Sequence, residues 1–369
     1  MNPPARTNFE SSPLLPSVRT GVKERPDFQP VNPSERSDWD QMLMQHEGHS
    51  FFHGSGWAGV LQSTYGHAPR YLAALSGSRL EALVPMMEIK TLLLGRRGVS
   101  LPFSDDSPIL SSPSLPESEV ITEAIGFGRK QGWKTLELRG VRHLPGATSP
   151  SVSFYGHMLE LSNREEQIIS RFASSLRRAV RKAEAAKVRI EISDAIESVR
   201  IFYVLHCKTR QKHGLPPQPF SFFDNIHRGV LSRNMGFVGV AYNEQKPVAA
   251  AIFFHLGKRA VFKFGASDPA FLQLRPNNLL LWEAIRWYSR NGFASLEFGR
   301  TSMGNEGLRR FKLGFGTREY RIDYLKYDFR RNNFVTERDN ATGWYNRLFR
   351  LLPIPLSRVI GAAAYGHWA

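Results

Sequence analysis

The sequence predicts an α/β protein, helices layered on sheets, built from two similar modules in tandem. Three observations predict it: a segment that recurs 160 positions later, a hairpin pattern that recurs at an offset of 167, and an amphipathic helix between the copies. Residues 123 to 139 read EAIGFGRKQGWKTLELR, and residues 283 to 299 read EAIRWYSRNGFASLEFG. Glu123, Ala124, Ile125, Gly132, Leu136 and Glu137 recur as Glu283, Ala284, Ile285, Gly292, Leu296 and Glu297. Each copy reads as a helix closed by a glycine, then a strand with alternating Leu and Glu.

The hairpin comes earlier in each copy. Residues 71 to 87 (YLAALSGSRLEALVPMM) and 238 to 254 (VGVAYNEQKPVAAAIFF) both read as strand, polar turn, strand. Hairpin, helix, glycine and strand thus occur twice in the same order. Between the copies, Ile168, Ile169, Phe172, Leu176, Val180 and Ala183 fall on one face at helical spacing, which predicts a long helix. Its other face carries Arg171, Arg177, Arg178, Arg181 and Lys182, a cluster dense enough to attract phosphate.

Bulk composition bounds the function. A chain of 369 residues with 41% hydrophobic content has enough apolar surface for two cores. One cysteine, Cys207, excludes an intramolecular disulfide framework and points to a reducing cytoplasm. The net charge of +16 points to an anionic partner. Residues 1–33, rich in Pro, Ser and Arg without an apolar core, read as a disordered tail rather than a signal peptide. No apolar run is long enough for a spanning helix.

Motif by motif, most catalytic classes fall away. The chain has no G-x-S-x-G elbow, Walker loop or zinc spacing, and the GFG at Gly126 to Gly128 lies inside the repeat's helix. His46, His49 and His53 lack an accompanying carboxylate or cysteine, so no metal is expected. His206, Cys207 and His213 read as a buried helix end. Direct transfer between two bound substrates is the chemistry left. The stretch 296 to 315, LEFGRTSMGNEGLRRFKLGF, is the most informative. There a strand runs into a glycine-bearing polar loop, and Arg300, Arg309, Arg310 and Lys312 gather four cations around Phe311. A fixed ammonium in such a loop suits an acyl-transfer oxyanion, although the residues alone favour simple pairing of Lys312 with a surface acid.

An ordered series of short motifs resembles FemAB-related proteins. It comprises Phe51-Phe52-His53 with Trp57, Tyr65-Gly66-His67, Leu101-Pro102-Phe103, LRRAVRKA from Leu176 to Ala183, Pro247-Val248-Ala249-Ala250, Phe298-Gly299-Arg300 and Phe311-Lys312. More narrowly, it is similar to members with a BioF2-like acetyltransferase domain, often found with exopolysaccharide and exosortase systems. The resemblance covers residues 35 to 330. It implies a tandem pair of GNAT-like modules at 34–158 and 159–335, and direct acyl or aminoacyl transfer to an amine of a cell-envelope or exopolysaccharide precursor. It implies a reacting acyl group beside Phe311 and Lys312, a phosphate on Arg177, and a base at Asp105 or Asp106, of which Asp106 is taken. Arg300 and Arg210 complete the substrate-binding set. The implied donor is acyl-CoA or aminoacyl-tRNA, with no tightly bound cofactor. The glycine-bearing loop that holds CoA pyrophosphate in such modules has Gln273 to Leu279 (QLRPNNL) as its counterpart, without glycine. Ordinary acetyl-CoA use is therefore not the expectation.

Residues 336–369 form a basic appendage. Trp344, Leu348, Phe349, Leu352, Val359 and Ile360 alternate with Arg347, Arg350 and Arg358, and Pro353 and Pro355 split it in two. It is expected to pack on the protein's own body or a second subunit, or to rest on an anionic membrane face. Two other functions stand beside acyl transfer: a basic nucleic-acid-binding protein, against which the dispersed charges count, and a degenerate transferase serving as a scaffold.

Overall fold

The computed structural model describes residues 26–91, 95–146, 148–337 and 345–367. The first module opens with strand β1 (Phe28–Val31), helices α1 (Trp39–Met44) and α2 (Ser55–Tyr65), and the short β2 (Ala68–Pro69). The hairpin β3 (Tyr71–Ser76) and β4 (Arg79–Val84) follows, then β5 (Met87–Thr91), β6 (Gly95–Val99) and β7 (Leu110–Ser111). Helix α3 (Glu117–Lys130) leads into β8 (Thr135–Val141), and then comes β9 (Val152–Glu160).

The second module repeats this order. After α4 (Glu165–Ser170) and α5 (Ser174–Ala185) come β10 (Arg189–Ser193), α6 (Ile196–His213) and α7 (Phe220–Gly229). The hairpin β11 (Gly236–Asn243) and β12 (Lys246–Leu256) is followed by β13 (Arg259–Ser267) and helix α8 (Pro276–Arg290). Then come β14 (Ser295–Ser302), α9 (Glu306–Leu313), β15 (Arg318–Asp328) and the short β16 (Asn333–Phe334). Helices α10 (Tyr345–Leu351) and α11 (Ile354–Ala364) end the described chain.

Duplication is visible in the pairing. Strands β1, β3 and β4 lie side by side antiparallel, as do β10, β11 and β12. Helix α3 is followed by β8 beside its parallel neighbour β6, and α8 joins the parallel neighbours β13 and β14. Gly132 and Gly292, with φ of +67° and +69°, turn the chain out of each helix.

The two copies are not merely juxtaposed. Strand β9 lies between β14 and β15, and β15 lies between β9 and β8, so each module's last strand pairs with the other module. The result is one twelve-stranded sheet, with β1, β3, β4 and β7 in a separate four-stranded sheet. The boundary expected between 158 and 159 falls inside β9. A second difference concerns the tail: Phe28–Val31, expected to be disordered, pairs with β3, its unpaired edge supplying the hydrogen bonds that local composition does not reveal. Residues 1–25 lie outside the described residues.

The long helix expected over 168–183 is two helices. At Ala173 the backbone is extended (ψ 145°) and its N–H donates to the Gly314 carbonyl at 2.9 Å, which breaks the helical ladder. The apolar face is as expected, because Ile168, Phe172, Leu176, Val180 and Ala183 are all buried. They pack with α8 on one face of the sheet. On the other face an aromatic core joins the modules: Phe51 stacks on Phe254, and Trp57 meets Phe222 edge to face and Phe254 at a tilt, with Phe52 packed edge to face on Trp57.

Candidate active site

The parallel strands β13 and β14 stay paired only from Arg259–Ser295 to Val261–Glu297. Beyond that point a cavity of about 420 Å³ opens between them. Lys263 and Ala266 line it from β13, Phe298 to Arg300 from β14, and Phe311 and Lys312 from α9. Helix α9 starts where the Asn305 side chain accepts a hydrogen bond from the Leu308 N–H at 3.1 Å. The strand before it runs to Ser302, so the polar loop expected over this region shrinks to a tight turn. One helical turn then carries Lys312 back over β14.

Lys312 is 3% exposed, and its Nζ donates to the carbonyls of Gly299 and Arg300, each at 2.9 Å. Burial pushes its ammonium down to about 8, with Asp105 pulling the other way. Asp105 pairs with Lys263 at 3.0 Å and stands 3.8 Å from Arg300. Burial raises the Asp105 carboxyl, but Lys263 and Arg300 outweigh it and hold the group below its ordinary value. Three cations around one carboxylate leave this buried space net positive, which favours an anionic or oxyanionic guest. Glycine is required at 299: φ is +67°, and a Cβ there would lie 2.6 Å from Asp105 Oδ2.

A second cavity, about 450 Å³, lies on the other side of Phe311. Arg178 and Lys182 reach it from α5, Arg275 and Asn278 from the start of α8, and Arg310 from α9. Arg275 adopts the left-handed conformation (φ 60°) just before Pro276 begins the helix. The amides of the first turn are thus joined by four cationic side chains, a setting for phosphate.

A third cavity, about 270 Å³, lies next to the first and is lined by Asp106, Glu117, Arg142, Arg259 and Glu297. Asp106 pairs with Arg142 at 2.6 Å and accepts from the Tyr320 hydroxyl at 3.3 Å. Burial, with Asp106 beside it, pushes Glu297 up to about 7.

The candidates read from sequence separate accordingly. Lys312, Phe311 and Arg300 meet in the splay between β13 and β14. Asp106 lines the neighbouring cavity instead, and its predecessor Asp105 occupies the splay. Arg177 lines neither of the first two cavities and donates to the Ser170 carbonyl at 3.4 Å; Arg178, one residue on, lines the second. Arg210 is engaged elsewhere, with the Pro216 carbonyl at 3.2 Å and the Tyr365 hydroxyl at 2.6 Å. Sequence reading missed Lys263, Arg275 and Glu297. Lys263 did leave a signal, as a lone charge between Phe262 and Phe264 in an apolar strand.

Of the histidines, His213, expected in a buried helix end, is exposed and lines the cavity that holds Lys312. His53 is buried and bonded to the Pro108 carbonyl at 2.8 Å, and His206 to Gln218 at 2.8 Å. Among the described residues no group of His, Cys, Asp and Glu is arranged to hold a metal.

The candidate site is thus a splayed parallel pair with a buried lysine at the splay, set between two α/β modules. Residues 170–321 match the family model described as an acetyltransferase (GNAT) domain. No curated protein sequence matches the chain. Its fold is similar to that of FemX, with a TM-score of 0.63 at 13% identity over 80% of this chain and 96% of that one. It is also similar to the C-terminal domain of a putative lysylphosphatidylglycerol synthetase from Agrobacterium fabrum (TM-score 0.52, 14% identity, 84% of this chain and 93% of that one). A conserved protein of unknown function from Bacteroides thetaiotaomicron VPI-5482 shares the fold too (TM-score 0.52, 10% identity, 81% and 99%). The GNAT match thus covers residues 170–321, and the two-module fold is similar to that of FemX.

Proposed function

We propose that this enzyme moves an acyl or aminoacyl group from a phosphate-bearing donor directly to an amine of a cell-envelope or exopolysaccharide precursor. One observation carries the reading: Phe311 lines both the cationic cavity and the acyl cavity, so one extended donor can span the two. Its phosphates lie among Arg178, Lys182, Arg275 and Arg310, and its acyl carbon passes Phe311 to reach Lys312. Acyl-CoA and aminoacyl-tRNA both have this layout.

The amine nitrogen attacks the acyl carbon and a C–N bond forms. The carbonyl electron pair moves to oxygen, where the Lys312 ammonium stabilises it. Collapse then breaks the bond to the donor's sulfur or oxygen, which leaves with the proton that the amine gives up, relayed by Glu297. Glu297 receives the proton lost by the amine; Asp106, the base expected from sequence, is tied to Arg142 and Tyr320, and its charge helps to raise the Glu297 carboxyl. Of the candidates Arg177 and Arg210, neither is given a donor contact. A peripheral seat on the inner membrane face suits a lipid-linked acceptor.

Calorimetry with CoA and with a deacylated tRNA tests the donor half. Binding of one of them, weakened at least tenfold in Arg178→Glu and Arg275→Glu, is the expected outcome. Wild-type protein that binds neither sinks the donor assignment. Mass spectrometry of envelope sugars and peptides, with and without the gene, then identifies the acceptor. A non-catalytic RNA-binding role would leave the buried Lys312 site without a purpose.

A further inference from the structure

Helix α11 is apolar on its outer face. Toward the body it turns Ser357 and Gly361, and the buried Tyr365 follows it. Toward solvent it turns Pro355, Leu356, Val359, Ala362 and Ala363, with Leu356 49% and Val359 66% exposed. Helix α10 adds Leu348 and the 84% exposed Leu351. A surface helix of a water-soluble body normally has the opposite arrangement.

This outer face is held in place. The Tyr365 hydroxyl accepts from Arg210, the Leu352 carbonyl accepts from Gln211 at 2.8 Å, and the Asn346 amide donates to the Gly214 carbonyl at 3.1 Å. At the far end Arg97 donates to the His367 carbonyl at 2.7 Å. Both helices therefore sit on α6 as part of the fold, and the bare leucines are not the result of a loose end. Among the described residues no helix is long and apolar enough to cross a membrane.

Charge selects the occupant. Residues 345–367 contain Arg347, Arg350 and Arg358 and no Asp or Glu, in a chain of net charge +16. All three arginines are exposed beside the apolar stripe. A second copy seated here would bring guanidinium against guanidinium. The interface of a bilayer rich in anionic phospholipid offers phosphates to the arginines and acyl chains to the leucines.

We propose that α10 and α11 are a membrane-docking face that seats the enzyme peripherally on an anionic phospholipid bilayer, with Leu348, Leu351, Leu356 and Val359 inserted at the headgroup boundary. The inference rests on the peripheral placement proposed above and not on the chemistry at Lys312.

Flotation of the full-length protein with vesicles tests it. Wild type should float with vesicles of mixed phosphatidylglycerol and phosphatidylcholine, far less with phosphatidylcholine alone, and less as salt rises. The double variant Leu351→Glu with Val359→Glu should lose at least tenfold in the bound fraction, with an unchanged unfolding temperature because both residues are exposed. Lys312→Met should float like wild type, so docking and chemistry fail separately. Equal flotation of wild type and the double variant overturns the proposal. So does a wild-type dimer in light scattering that the double variant dissolves without any vesicle binding, since that result assigns the face to a second copy.

Discussion

Lys312 crosses from α9 to the edge of β14, where its Nζ donates to the Gly299 carbonyl at 2.9 Å. With the Arg300 carbonyl taking a second proton at 2.9 Å, one N–H is left for the cavity that the residue lines. Its direction is set before any substrate arrives, which is what oxyanion stabilisation requires. Lys312→Met is expected to lower kcat by about 10²–10³ with KM nearly unchanged, as for loss of one oxyanion donor. Steady-state kinetics with the identified donor checks this, and wild-type turnover in the variant rules the role out.

The pH profile should be a narrow bell. Glu297 acts as a base only when ionised, so the rate rises with pH through about 7. Lys312 acts only when protonated, so the rate falls as pH passes about 8. Glu297→Gln removes the lower limb, and Lys312→Arg moves the upper limb beyond the measurable range. A profile flat from pH 6 to 9 contradicts both assignments.

Gly299→Ala should destabilise the fold as well as the site. Its positive φ and the approach of Asp105 both oppose a methyl group, for an expected loss of about 1–3 kcal/mol. Urea unfolding measures it. In an Asp105→Ala background, itself less stable because three cations lose their carboxylate, Gly299→Ala should cost less, an interaction that a double-mutant cycle isolates.

Acid should weaken the protein well above the range where carboxylates titrate. Burial holds His53 near 4 and His206 near 3, against an unfolded value of 6.5. As pH falls below 6.5 the unfolded chain takes up these protons first, so stability is lost from there down to the folded values. Each histidine contributes a slope of about 1.4 kcal/mol per pH unit. Glu297, raised in the fold, works the other way and offsets one of them. Denaturant titrations at pH 7 and pH 5 should therefore show a net loss on acidification; equal stabilities would contradict it.

Much of the fold was legible because it is encoded locally. The helix, glycine and strand repeated at Glu123 and Glu283 depend on contacts a few residues apart, and the period of the apolar residues reports them. Pro353 likewise marks the gap between α10 and α11, and Pro355 sits in the first turn of α11. The acyl site was legible only in part. Phe311, Lys312 and Arg300 belong to one continuous stretch, so a single strand, turn and helix brings them together. Lys263 and Asp105 come from β13 and from the first module, and nothing near them in sequence announces that they meet.

By itself, then, the sequence determined the duplicated α/β plan, the buried faces of its helices and the grouping of Arg300, Phe311 and Lys312 on one stretch. Tertiary structure alone decided that β9 and β15 exchange between modules, because strand pairing is set by partners far away in the chain. It alone placed Asp105 rather than Asp106 in the splay, since successive residues on an irregular loop take directions that no periodicity predicts. It turned Arg178 and Lys182 into the cationic cavity and left Arg177 outside it, because one residue along a helix is a rotation of about 100°. Arg210, a cation like the others on paper, ended as an anchor for the C-terminal helix because the nearest acceptors were the Pro216 carbonyl and the Tyr365 hydroxyl. A charge interacts over a few ångströms, and only the folded chain decides which groups come that close.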